Sequence, residues 1–283
     1  MPHADADGAK IYYDVHGAGT PLLLVSGFGS NATVYWANIP RLAERFRVIA
    51  MDPRGSGRSD VAPGPYTMAM LAGDCAAVLD ANAVETAHVL GTSMGGMIAQ
   101  NFAVLYPERL RRLVLACTTP GGTHHVLPPA EQLAVFMGAA EIADAAAAVR
   151  ATYPLHYSDA YAAVHDEEIV ARSRANEHLR STPEGRAAQL AAVQGHNTWD
   201  ALTAITAPTL VLHGERDGIV PVENGRNIAA RIPGARLRTW TEGRHLFFVE
   251  FADELNEEVI GFLDEDDAVI AAAAAGRIQQ EGE

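Results

Sequence analysis

The chain has 283 residues, 48% of them hydrophobic, and a formal net charge of −14 at pH 7. That length suits a single α/β domain carrying an insertion, and the hydrophobic share is ample for a core. The negative charge argues against a nucleic acid or an anionic membrane as partner, because either would be repelled.

No run approaches eighteen uninterrupted apolar residues, so no transmembrane span is expected. Met1–Lys10 is polar and acidic and lacks the basic-then-apolar order of a signal peptide. Two cysteines, Cys75 and Cys117, form neither a disulfide framework nor a metal motif. A cytoplasmic protein with no metal site is the expectation.

In chain order, Lys10–Val15 predicts a strand and His16–Pro21 a turn. Leu22–Ser26 predicts a second strand, running into Gly27-Phe28-Gly29-Ser30. Trp36, Ile39 and Leu42 recur on one side of a predicted helix over Val34–Arg45. Arg47–Met51 predicts a strand, followed by the loop Asp52-Pro-Arg-Gly-Ser-Gly-Arg-Ser-Asp60. That loop lacks the Lys-Ser/Thr pair with which a phosphate loop reaches phosphate and metal, so a structural role is expected. Met68–Ala81 predicts a helix.

The next stretch, His88–Gly96, carries the most information. A short apolar strand leads into Gly91-x-Ser93-x-Gly95, and Met97–Tyr106 continues at helical spacing until Pro107. A serine in a tight strand-to-helix turn needs small neighbours two residues away on each side. The helix N-terminus behind it offers amides and a positive dipole end to a developing oxyanion. An ordinary glycine-rich βα loop would match the short pattern too. The strand before it and the helix after it favour the nucleophile elbow.

Leu113–Cys117 predicts another buried strand, after which the alternation stops. From about Thr118 to Trp199 the chain is alanine-rich, with predicted helices over Glu131–Met137 and Glu141–Ala151 and no convincing strand. Alternation resumes with a strand at Pro208–Gly214, a helix at Val222–Ile232, a strand at Arg236–Thr241 and a helix at Ala252–Leu263. This order predicts βαβ units in a mostly parallel sheet. Residues 1–118 and 200–263 are expected to form one α/β core, and 119–199 a helical cap insertion perched on it. Residues 264–283 read as an acidic, alanine-rich C-terminal tail, either frayed or used in homo-oligomer contacts.

A serine nucleophile needs a base and a group that orients the base. Asp217 lies just beyond a buried strand, and His245 follows the last one, giving the chain order Ser…Asp…His. Glu215 is the competing carboxylate near Asp217. His213, inside an apolar run, reads as a core histidine, and the adjacent His124 and His125 do not converge on one ion.

Taken together, Gly27-Phe28-Gly29, Asp52–Ser59, Gly91-Thr-Ser-Met-Gly-Gly96, Gly214-Glu-Arg-Asp217 and Gly243-Arg-His245 resemble the α/β-hydrolase fold superfamily, as far as about Leu263. The resemblance implies a mostly parallel eight-stranded sheet flanked by helices, with the cap between two of its strands. By motif it implies Ser93 as nucleophile, His245 as general base and Asp217 as the acid that orients it. It implies an oxyanion hole made by the backbone N–H groups of Phe28 and Met94, and no cofactor. The family commonly has histidine where this chain has Ser26, so the loop carrying Phe28 is expected to be supported differently.

The expected reaction is hydrolysis of small to medium hydrophobic carboxylic esters through an acyl-serine. Leu127, Leu133, Phe136, Met137, Tyr153, His156, Tyr157, His196 and Trp199 are available to cover the site, and packing on the sheet competes for each. Phe136, Met137, Tyr157, Trp199 and Leu246 are the candidate substrate contacts. Gly91–Gln100 with Pro107–Leu115 is also similar to 3-oxoadipate enol-lactonases, which implies a lactone as the alternative small-molecule substrate. Such a substrate carries a carboxylate and calls for a facing cation. Arg150, Arg172, Arg174, Arg180 and Arg186 lie in polar surroundings that predict a solvated face instead. The elbow is shared with hydrolases of dienoic ring-fission products, and the triad with cofactor-free haloperoxidases (perhydrolases). A ligand-binding protein without turnover has the same fold. Haloalkane dehalogenases and epoxide hydrolases use an aspartate nucleophile, and this chain has Ser93.

Overall fold

The computed structural model describes residues 2–265. Its sheet has eight strands: β1 (His3–Ala6), β2 (Ala9–His16), β3 (Thr20–Val25), β4 (Phe46–Met51), β5 (Ala87–Thr92), β6 (Leu110–Ala116), β7 (Thr209–Gly214) and β8 (Arg236–Trp240). They lie in the order β1-β2-β4-β3-β5-β6-β7-β8. β2 pairs antiparallel with β1 and β4, and every other pairing is parallel. Every residue of β5 and β7 is buried, as expected of parallel strands covered on both faces.

The period of two sorts β3 cleanly. Leu23 and Val25 enter one core, and Leu22 and Leu24 the other. The helices α1 (Ile39–Leu42), α2 (Met68–Ala81) and α3 (Met94–Leu105) come from the first half of the chain. From the second half come α9 (Glu223–Arg231), α10 (Phe247–Glu250) and α11 (Ala252–Asp264). Buried residues of α2, α3 and α9 fill the first core, and those of α1, α10 and α11 the second. Thr67 caps α2 by accepting from Met70 N at 3.2 Å, worth about 1 kcal/mol. No described helix is long and apolar enough to cross a membrane.

Between β6 and β7 the chain passes through α4 (Ala130–Ala139), α5 (Ala145–Ala151), α6 (Tyr153–His156), α7 (Asp159–Ala175) and α8 (Pro183–Gln194). The two legs of this excursion are joined by a bridge between Gly121 and Asn197 and by Thr198 N donating to Pro120 O at 2.9 Å. Thr198 Oγ1 also donates to Gln100 Oε1 of α3 at 2.7 Å.

Several elements differ from the sequence-based expectation. The helix expected over Val34–Arg45 is two short pieces, a 3-10 turn at Ala32–Tyr35 and α1. Pro40, in the first turn of α1, has no N–H to continue a helix from residue 36, and its ring disfavours helical backbone just before it. β1 was not expected at all. It forms a hairpin with β2 whose turn, Asp7-Gly8, has positive φ at both residues. The elbow helix starts at Met94 rather than Met97. The tail 264–283 lies, apart from Asp264 and Glu265, outside the described residues.

Candidate active site

Ser93 is the residue before the first turn of α3, with φ 56° and ψ −121°. The two glycines around it explain the spacing. A Cβ on Gly95 would lie 2.0 Å from Val25 O, and one on Gly91 would lie 2.2 Å from Gly95 O. Ser93 N donates to Ala116 O at 2.9 Å, and Thr118 Oγ1 donates to Ser93 O at 2.7 Å. The serine backbone is thus clamped to β6 and its following loop, while its side chain stays partly exposed.

Asp217 and His245 meet after β7 and β8. His245 Nδ1 lies 2.8 Å from Oδ2 and 3.0 Å from Oδ1 of Asp217. Oδ1 also accepts from the amides of Ile219 and Val220, each at 2.9 Å. Burial works to raise the Asp217 pKa, but His245 and His213 outweigh it and hold the carboxyl well below the usual range. An ionised Asp217 fixes the Nδ1–H tautomer of His245 and leaves Nε2 as the acceptor. His245 N donates to Leu155 O and Leu246 N to His156 O, each at 3.0 Å, so α6 steadies the histidine loop. Glu215, the competing carboxylate, accepts instead from Thr239 Oγ1 at 2.8 Å.

Cys117 completes this corner. Its sulfur lies with a carboxylate oxygen of Asp217 and a ring nitrogen of His245 inside a 4.8 Å group. Burial and the Asp217 charge push its thiol well up, so it stays protonated and is a poor nucleophile. Asp217 in this group is already engaged by His245 and two amides.

Among the described residues, the backbone amides of Met94 and Phe28 have no hydrogen-bond acceptor. Met94 is the first residue of α3, where helical geometry leaves the N–H unpaired. Gly27 places the Phe28 loop against Ser93, since a Cβ there would come within 3.0 Å of Ser93 Cβ. A cavity of about 420 Å³ opens beside this loop, and Phe28, Phe136, Met137 and Tyr157 line it. Phe28 and Phe136 stand 6.3 Å apart between ring centroids.

Two candidate substrate contacts lie elsewhere. Trp199 is stacked on His124 at 3.8 Å with Arg231 over its ring at 5.0 Å, and it does not line the cavity. Leu246 follows His245 but packs into the second core. The solvated face expected of the insertion's arginines holds for Arg150, Arg174 and Arg180, which are exposed. Arg172, Arg180 and Arg186 line the cavity, each engaged by neighbouring groups: Arg172 by Glu168 and the Trp36 ring, Arg180 by carbonyls at the end of α4, and Arg186 by Glu141 and Ser181 O.

His213 does more than fill the core. Its Nε2–H donates to Val220 O at 2.8 Å and sits 3.5 Å from Asp217 Oδ2. Its i, i+4 spacing to Asp217 was the available signal, but only the turn after β7 brings the two together. His156 fronts the cavity with its ring 6.2 Å from that of His245 and 6.4 Å from that of Phe136. Surrounding protein, and then the His245 charge, push its imidazole down to about 3, so it is neutral at pH 7.

The α/β hydrolase fold family model matches residues 20–252. A protein of Azorhizobium caulinodans named as a carbamate hydrolase, RutD, is 34% identical over 94% of this chain and 100% of its own length. The structure of an N-acyl homoserine lactone degrading enzyme superposes with a TM-score of 0.78 at 32% identity, covering 92% of this chain and 100% of that one. The enol-lactonase of Burkholderia xenovorans superposes with a TM-score of 0.81 at 25% identity, covering 93% of this chain and 100% of that one. With the sheet order, the elbow and these likenesses in hand, the chain belongs to the α/β-hydrolase fold family.

Proposed function

We propose that the protein is a serine hydrolase that cleaves carboxylic esters of small to medium hydrophobic substrates through an acyl-serine. The observation that carries the reading is the buried Asp217–His245 pair in the same fold as a serine held at positive φ ahead of a helix. Ser93 Oγ adds to the ester carbonyl as its proton passes to His245 Nε2, and the C=O electron pair moves onto oxygen. The Phe28 and Met94 amides receive that oxyanion. Collapse breaks the bond to the alcohol oxygen, which takes the proton from His245. Water, deprotonated by the same imidazole, then releases the acid and restores Ser93. Asp217 holds the imidazole tautomer and stabilises its charged form without itself taking the proton.

Residues 119–199 act as the cap in this reading, and Phe136, Met137 and Tyr157 would give the acyl or alcohol group an apolar wall. Hydrolysis of a p-nitrophenyl ester series from short to long chains, with Ser93→Ala beside wild type, tests it. Ser93→Ala is expected to lower kcat by about 10⁶-fold. An unchanged rate in the folded variant would assign the chemistry to another nucleophile.

A lactone carrying an anionic group is the second reading, and Arg172, Arg180 and Arg186 along the cavity favour it. The similar enzymes named for N-acyl homoserine lactones and for an enol-lactone support a cyclic ester in general. Extending the ester series to lactones with and without a carboxylate separates the two readings.

A further inference from the structure

Gln189, on α8, reaches the loop that carries Phe28, and Ser26 does not secure that loop through its hydroxyl. The Ser26 Oγ is buried without a hydrogen-bond partner. Gly29 N instead donates to Gln189 Oε1 at 2.9 Å, across 160 positions of sequence. The Gln189 amide is itself held from behind, its Nε2 donating to Arg54 O at 2.8 Å and to Ser56 Oγ at 2.7 Å. The side chain is fully buried, and all three bonds together fix both its position and which end faces Gly29.

We propose that Gln189 is a positioning residue for the oxyanion hole, an inference that rests on the serine-hydrolase reading above. The Phe28 amide lies between two fixed points. Gly27 packs on Ser93, and Gly29 is pinned by Gln189. The backbone turns between them, with Ser30 N donating to Gly27 O at 3.2 Å and Gly29 at φ +64°. Release of the Gly29 amide frees the Phe28 peptide to rotate, and the N–H then no longer points at the place where the oxyanion forms. The effect falls on the transition state, because the ground-state carbonyl makes weaker use of that donor. The insertion thereby contributes to catalysis as well as to the cavity wall. It links the Gly27-Phe28-Gly29 loop to the Asp52–Ser59 loop, two stretches that β3 and β4 deliver to the same edge of the sheet.

The test uses Gln189→Met, which keeps the length and removes both polar ends, and Gln189→Glu, which keeps an oxygen opposite Gly29. A carboxyl buried against the Arg54 carbonyl retains its proton and so mimics the amide. Three readouts are taken on the best p-nitrophenyl ester: kcat, KM, and inhibition by a trifluoromethyl ketone, whose adduct with serine places an oxyanion in the hole. Gln189→Met is expected to lower kcat by about 10- to 100-fold with KM within about 2-fold, and to weaken the ketone by the same factor as kcat. Gln189→Glu is expected to recover most of that loss. Wild-type kcat in Gln189→Met overturns the proposal, and so does an equal loss in both variants, which would place the effect in packing. Hydrogen exchange of wild-type protein provides a check independent of variant folding. The Gly29 amide should exchange slowly, and exchange at the rate of an open loop overturns the contact. Ser93→Ala in the same assay keeps the two claims apart: residual full activity there fails the hydrolase reading, whereas loss there with normal Gln189→Met fails only this one.

Discussion

Positive φ at Ser93 costs a non-glycine residue on the order of 1–3 kcal/mol, and the surrounding structure holds it there. The hold is visible in Ala116 O and Thr118 Oγ1 on the serine backbone and in two glycines with no room for a Cβ. Asp217 shows the same economy, since each of its oxygens has a defined donor. Asp217→Asn is expected to leave the geometry in place and lower kcat by about 10⁴-fold, because the amide can stabilise the wrong imidazole tautomer. Steady-state kinetics beside a circular dichroism spectrum check it, and a loss below 10-fold would remove Asp217 from its orienting role. The residues of this corner were legible in the sequence because each sits in a short motif whose spacing has a steric cause. The surroundings of Trp199 and Leu246 were not legible, because packing depends on neighbours that motifs do not encode, here His124 and Arg231 for one and the second core for the other.

At the scale of elements, α8 seats closely on the core. A Cβ on Gly185 would lie 2.2 Å from Gly55 O, and Ser181 Oγ donates to that same oxygen at 2.5 Å. Gly185→Ala is therefore expected to push α8 off the loop between Asp52 and Ser59, costing about 1–3 kcal/mol in urea unfolding. It should also lower kcat in the manner of Gln189→Met, because Gln189 moves with its helix. Unchanged stability and unchanged kcat would contradict so close a seat. The strands of the parallel sheet were readable as apolar runs, but α7 was not foreseen. Only Ile169 and Val170 of its seventeen residues are buried, so no apolar stripe marks it as a helix. β1 was hidden for a related reason. Its inward residues are Ala4 and Ala6, too small to stand out against the aspartate between them.

For the molecule as a whole, acid should loosen the insertion at its stalk. His196, buried on the returning leg, makes contact at 3.0 Å from Nε2 to Thr119 O and at 3.4 Å from Nδ1 to Asn101 Nδ2. Neutral imidazole satisfies both contacts, donating through Nε2–H and accepting at Nδ1. Burial lowers its pKa from 6.5 to about 4. The folded state thus refuses a proton that the unfolded chain accepts below its ordinary value. The stability tied to neutral His196 is fully present above about pH 6.5 and is lost as pH falls toward 4, by up to about 3 kcal/mol. His196→Gln should lessen the fall in unfolding free energy between pH 7 and 4, leaving the part due to buried His156, and an unaltered slope would contradict the assignment. The central claim, that Ser93 is the nucleophile, is tested most directly by intact-protein and peptide mass spectrometry after treatment with a fluorophosphonate. Ser93 as the single modified residue, with no label on Ser93→Ala, is the predicted result; label on another residue, or equal labelling of the variant, would contradict it.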